Sequence, residues 1–161
     1  MASDVLQAQV QAIGANPQKM ALGEVYQALQ TGTIDAQETT WSNIYSAKLY
    51  EVQPYIMETN HGYVGYLLAV NAEFWGSLPS DVRLGLEEVI AETTAWGNAH
   101  AEAINQQARS MIIESGRSEI VELTDEQIAE WQAEMAPVWE QFAHTIGVER
   151  IEAARSVQRE R

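Results

Sequence analysis

The chain has 161 residues, 46% of them hydrophobic, with 23 acidic against 9 basic side chains and a net charge of -14; that is enough apolar material for one core, and a charge that repels a phosphate backbone, so nucleic acid is not an expected partner. No cysteine is present, which excludes disulfides, thiolate zinc sites and cysteine nucleophiles and suits the cytoplasm and the bacterial periplasm alike. No basic-then-apolar leader follows Met1, and no apolar run approaches the ~18 residues of a membrane span, so the chain is not expected to cross a membrane itself.

Residues 4–13 place Val5, Leu6, Val10 and Ile13 at helical spacing, with Gly14 as a stop. Asn16 to Met20 reads as a short strand, and Gly23 as the N-cap of a helix that buries Val25, Tyr26 and Leu29. Thr31-Gly32 ends that helix and Thr33 to Ala36 is expected to be extended. A further helix follows the polar run Gln37 to Thr40, with Trp41, Ile44 and Tyr45 on one face. Short strands alternating with short helices define an α/β class, in which strand ends face a ligand crevice.

From Glu51 to Asn71 two extended runs, EVQPYIMET and YVGYLLAVN, flank Asn60-His61-Gly62. They read either as a hairpin or as two strands that separate after the turn. Pro54 puts the first at an edge, whereas the second, apolar on both faces, is expected to be buried. A short helix with Phe74 and Trp75 follows, broken at Leu78-Pro79.

With Ser80 as N-cap, a helix then runs without proline to about Glu114, Val82, Leu86, Val89, Trp96, Ala108 and Met111 tracing one face. At ~1.5 Å per residue it spans roughly 50 Å, too long for one small lobe and suited to a spine bridging two, with Gly97 a point for a bend. Glu119 to Glu122 is a short strand. Thr124 and Gln127 form a capping box for a helix that Pro137 should kink and Gly147 should end, before an amphipathic piece and the basic tail Arg155, Arg159 and Arg161.

Assembled chemistry is absent from the pattern. His61, His100 and His144 are far apart and outside any HExxH pattern; there is no GxSxG, Walker or GxGxxG motif. His100-Ala101-Glu102 begins a zinc deaminase signature whose cysteine half cannot exist here. Paired acids such as Glu87-Glu88 read as solvated helix faces. Catalysis, cofactors and metals are therefore not expected. On residue type alone His61 is a turn histidine, Thr39 a helix N-cap, and Leu22 and Trp41 core residues.

The motifs GANPQKMALGEVYQALQTGTIDAQETTWSNI, KLYEVQPY, TNHGYVGY and AEFWGSLP keep order and spacing from Gly14 to Pro79. In this they resemble the solute-binding proteins of TRAP transporters (tripartite ATP-independent periplasmic systems), most closely the dicarboxylate-binding branch. The resemblance implies a periplasmic-binding-protein-like fold of two α/β lobes closing on an organic acid such as a four-carbon dicarboxylate, delivered to TRAP membrane subunits without ATP. It further implies that this chain is an incomplete C-terminal portion: residues 1–79 part of a ligand-binding lobe, 80–115 a lobe-spanning helix, 116–161 a strand and helices packing back on the lobes. A substrate-pairing arginine would lie just before Met1, and the surface where the rest should dock would be exposed and prone to self-association.

By position, Thr39 stands where the family usually has a ligand-bonding Asn, Leu22 where it has a Phe against the ligand's apolar part, and His61 is kept in the TNHG turn. Ala36 and Thr40 replace Gly and Pro, with Trp41 beside them as a space-filling candidate for the ligand-binding set. A non-catalytic helix-rich interaction module, with residues 80–158 as its surface, is the alternative function.

Overall fold

The computed structural model describes residues 3–158. Helix α1 (Asp4–Ala12) is capped by Ser3, whose hydroxyl accepts from the Leu6 N–H. Lys19 folds back to Asp4 at 2.7 Å and holds that exposed carboxyl below the usual carboxylate range. Residues 16–20 form no strand; they lead into α2 (Leu22–Gln30). Its N-cap is Ala21 and Gly23 lies within the first turn, so the expected glycine cap is displaced by two residues.

Helix α3 (Trp41–Ser46) follows a stretch at 33–36 that is likewise not a strand. Lys48, at φ 55°, turns the chain into a 3-10 turn over Leu49–Glu51. Strand β1 (Tyr55–Glu58) comes next, then α4 (Ala72–Ser77) and the 36-residue α5 (Ser80–Ser115). The spine is continuous through Gly97; Pro79 occupies its N-cap and Ser80 its first turn. Gly116, at φ 64°, closes it in the left-handed conformation that glycine adopts without a Cβ penalty. Strand β2 (Glu119–Glu122), α6 (Asp125–Ile146) and α7 (Val148–Gln158) complete the described chain. The Thr124–Gln127 capping box is present, and α6 runs on through Pro137 to Gly147. Arg159 and Arg161 of the basic tail lie outside the described residues.

The sheet is the main departure from local expectation. β1 pairs in parallel with β2, Tyr55 opposite Glu119 through Glu58 opposite Glu122, and not with the run after His61. Pro54, which lacks an N–H, needs none here: its carbonyl accepts from the Glu119 N–H at 2.8 Å. Ser118 donates to the Tyr50 and Gln53 carbonyls and fixes the entry to β2. Residues 63–71, expected to be a buried strand, belong to neither helix nor sheet and are exposed. An apolar run becomes a strand only if another strand lies beside it, and among the described residues none does.

The core collects where α2, α3, the end of α5 and the strand pair meet. Val25, Leu29, Ile44, Leu49 and Ile112 are buried together, and Ile56 and Ile120 pack against them from the two strands. A second contact joins α1 to α6, where Ala8, Met135 and Val138 are buried. The apolar stripe of α5 is split: Ala108 and Ile112 are buried, whereas Val82, Val89 and Trp96 are exposed. Among the described residues the buried positions of the spine, Ala108 and Ile112, lie in its second half, where α3 and the core cluster pack against it.

Candidate functional site

The entry to α3, the middle of α5 and the end of β1 converge on one region. Thr40 has the extended backbone of an N-cap without a side-chain cap bond, so the cap falls one residue after Thr39. Thr39 is thereby released from capping. Its hydroxyl oxygen accepts from the Asn43 amide at 2.9 Å, which leaves its own O–H available to donate. The Ser42 N–H, an orphan donor of the first turn, is taken by Asn105 of α5 at 3.1 Å. That bond locks the start of α3 to the spine.

Trp41 is half-buried and packs under Arg109, whose guanidinium carbon lies 5.7 Å from the ring centroid. Arg109 holds Glu58 through both of its oxygens, Nε to Oε1 at 2.9 Å and Nη2 to Oε2 at 3.0 Å, and reaches Glu122 at 2.8 Å. Glu58 and Glu122 are register partners at the ends of β1 and β2. Two carboxylates side by side would repel; the cation between them makes the pairing favourable. Hydrogen bonding to Glu58, ahead of the contribution from Glu122, raises the Arg109 pKa above its ordinary range.

Three residues beyond Glu58, His61 is held from three sides. Its Nδ1 shares a hydrogen bond of 2.6 Å with the Thr59 hydroxyl, its Nε2 lies 3.4 Å from Glu38, and its ring stacks on Trp131 of α6 at 6.1 Å between centroids. Asn60, at φ 46°, makes the turn that allows this. Both ring nitrogens face groups of this chain, so His61 orders the wall around it and ties α6 to the loop that carries Thr39.

Of the residues singled out in the sequence, three each enter a local network of their own: Thr39 with Asn43, Trp41 with Arg109, and His61 with Thr59, Glu38 and Trp131. Leu22 takes no part in those hydrogen bonds or ring contacts; it is the first residue of α2 and 44% exposed. Arg109, Glu38, Asn105 and Trp131 were missed as members of these networks. The available signal was Arg109 itself, a cation next to Ala108 of the apolar stripe on α5, where a partly buried charge requires an acidic partner. No cluster of three or more His, Asp or Glu able to hold a metal occurs among the described residues. The groups gathered here are the Thr39 hydroxyl, the Asn43 and Asn105 amides, the Arg109 guanidinium with its carboxylates, and the rings of Trp41, His61 and Trp131.

The family model for DctP, bacterial extracellular solute-binding protein family 7, matches residues 1–145. The chain belongs to this family. The C4-dicarboxylate-binding periplasmic protein DctP of Shewanella loihica is 49% identical over 154 residues, 96% of this chain and 46% of that protein. Among solved structures, a TRAP periplasmic solute-binding protein from Shewanella oneidensis with bound succinate is similar with a TM-score of 0.93 and 44% identity, over 96% of this chain and 50% of that one. A counterpart from Pseudomonas aeruginosa with bound L-malate gives a TM-score of 0.84 and 38% identity, over 88% and 49% of the respective chains. The chain thus spans about half the length of the family members it matches. Its fold is that portion of the family's two-lobe α/β architecture, helix-rich with a small sheet, which agrees with the class expected from the motifs.

Proposed function

We propose that this chain supplies one wall of the organic-acid site of a TRAP-type solute-binding protein, non-catalytic and periplasmic, that passes a four-carbon dicarboxylate to TRAP membrane subunits in ion-driven transport. The family membership of a chain whose relatives bind succinate and L-malate carries this reading. It weighs against the helix-rich interaction module, for which no comparable relative speaks. The wall fits the role: Thr39 donates its O–H to a carboxylate oxygen, Trp41 offers its ring, and His61, held by Glu38 and Thr59, fixes the turn behind them. Leu22, at the exposed start of α2, would meet the apolar part of the ligand only with the remainder of the family fold in place.

The decisive test is a chimera in which this chain replaces the portion of the Shewanella loihica protein that it aligns with. Calorimetry against succinate, malate, fumarate and other organic acids should detect binding to at least one four-carbon dicarboxylate, without turnover. Thr39→Val should weaken it about tenfold, the cost of one lost hydrogen bond to a charged group. Absence of binding to any acid in a chimera that melts cooperatively would overturn the reading.

A further inference from the structure

Helix α3 is six residues long, too short to hold itself together in water, and its N-cap residue does not cap it. The Thr40 hydroxyl, which in that position would ordinarily accept from the N–H of the second or third helical residue, instead lies 3.1 Å from the Ser42 hydroxyl. Ser42 is the second helical residue, and its N–H is taken by Oδ1 of Asn105, 63 residues further along the chain on α5. The opposite amide orientation would set an NH2 group against an N–H, so this bond fixes which way the Asn105 side chain faces. Asn105 thus does for α3 what an N-cap does for its own helix.

One turn along the same face of α5 stands Arg109. Its guanidinium lies over the ring of Trp41, the first residue of α3, and is pinned by Glu58 and Glu122 at the ends of the strand pair. The start of α3 is therefore held by α5 through one ring and one backbone donor, on adjacent residues. Neither group of α5 suits the acid itself. One guanidinium against two carboxylates leaves the Arg109 cluster with a net negative charge, which repels a dicarboxylate, and the Asn105 oxygen is already taken by Ser42.

The turn held in this way carries the Thr39 hydroxyl. Asn43, the residue after Ser42, donates to the Thr39 oxygen at 2.9 Å and so sets the direction in which the Thr39 O–H can point. From this succession of contacts we infer that Asn105 is a positioning residue of the organic-acid site: it caps Ser42 from the spine and fixes the turn from which Asn43 aims the Thr39 O–H at a carboxylate oxygen. Asn105 itself touches no ligand and acts only through Thr39. A donor aimed from a short helix tolerates little drift, because hydrogen bonds weaken steeply as the donor angle falls toward about 120°. The inference rests on the proposed reading of Thr39 as a ligand donor.

The chimera with the Shewanella loihica protein tests it, with succinate, L-malate and fumarate as probes in calorimetry. Asn105→Ala should weaken binding about fivefold, the effect of one lost cap, while the helical circular dichroism and the cooperative melt are retained. Asn105→Leu, similar in shape but without the acceptor, should do the same and serves as the second variant should alanine fail to fold. In a Thr39→Val background either substitution should change the affinity less than twofold, because the group that Asn105 positions is gone. An asparagine that only stabilised the fold would cost the same in both backgrounds. Amide exchange without ligand gives an independent readout: the Ser42 N–H should exchange about fivefold faster in both Asn105 variants. Equal losses in the two backgrounds, unchanged affinity in the Asn105 variants, or a Ser42 amide exchanging at the parent rate would each overturn the inference and leave the proposed function standing. A parent chimera that melts cooperatively and binds no organic acid would instead overturn the proposed function, and the inference with it.

Discussion

Among single residues, Arg109 makes several bonds at once. It neutralises two facing carboxylates, closes the ends of a two-strand sheet and covers Trp41. Its side chain is three-quarters buried, so salt screens the cluster less than a surface pair. Removing the cation leaves Glu58 and Glu122 adjacent and unpaired. We expect Arg109→Met to cost about 2–3 kcal/mol, between a lost charged hydrogen bond and a fully buried broken pair. Arg109→Lys should recover only part of this, because an ammonium cannot grip both Glu58 oxygens or stack on the ring. A pKa raised on folding contributes its full stability below the unfolded value, so for this arginine the contribution is complete at every ordinary pH. Urea unfolding at neutral and mildly alkaline pH should therefore show the same loss at both; a loss that vanishes at neutral pH would show that the clasp does not hold the strands.

For helices and strands, what could be read in the sequence depended on whether the partner was local. Helices announce themselves through their own periodicity and caps, as Thr124 and Gln127 do for α6. Each half of that box satisfies an orphan donor, so Thr124→Ala should lower stability by about 1 kcal/mol, seen as a shift of the urea midpoint without a change of slope. Strands announce only a need. β1 finds its neighbour some sixty residues later in β2, after the whole of α5, and nothing within EVQPYIMET encodes that choice. The turn after Thr59 resembled a hairpin because both flanks were apolar, yet the second flank has no strand beside it. The site divides in the same way. Thr39, Trp41 and His61 were singled out through motif resemblance, whereas the Arg109 clasp depends on how α5 lies across the strand pair, a tertiary register that no short window contains.

For the chain taken entire, the exposed face should be visible in how it unfolds. The denaturant slope follows the surface newly exposed, and an unfolded chain of this mass exposes about 26,000 Å². Unfolding from 11931 Å² uncovers about 14,000 Å², against about 18,000 Å² from a compact fold of equal mass. The urea slope of the chain alone should accordingly lie about one-fifth below that of an ordinary 161-residue domain, and the heat capacity of unfolding should fall more steeply, since the missing burial is chiefly apolar. Leu67→Asp and Leu68→Asp should leave both quantities unchanged in the isolated chain, because those side chains are already in water. If the slope instead equals that of a compact domain and the two substitutions reduce it, residues 62–70 are buried in solution within the chain itself.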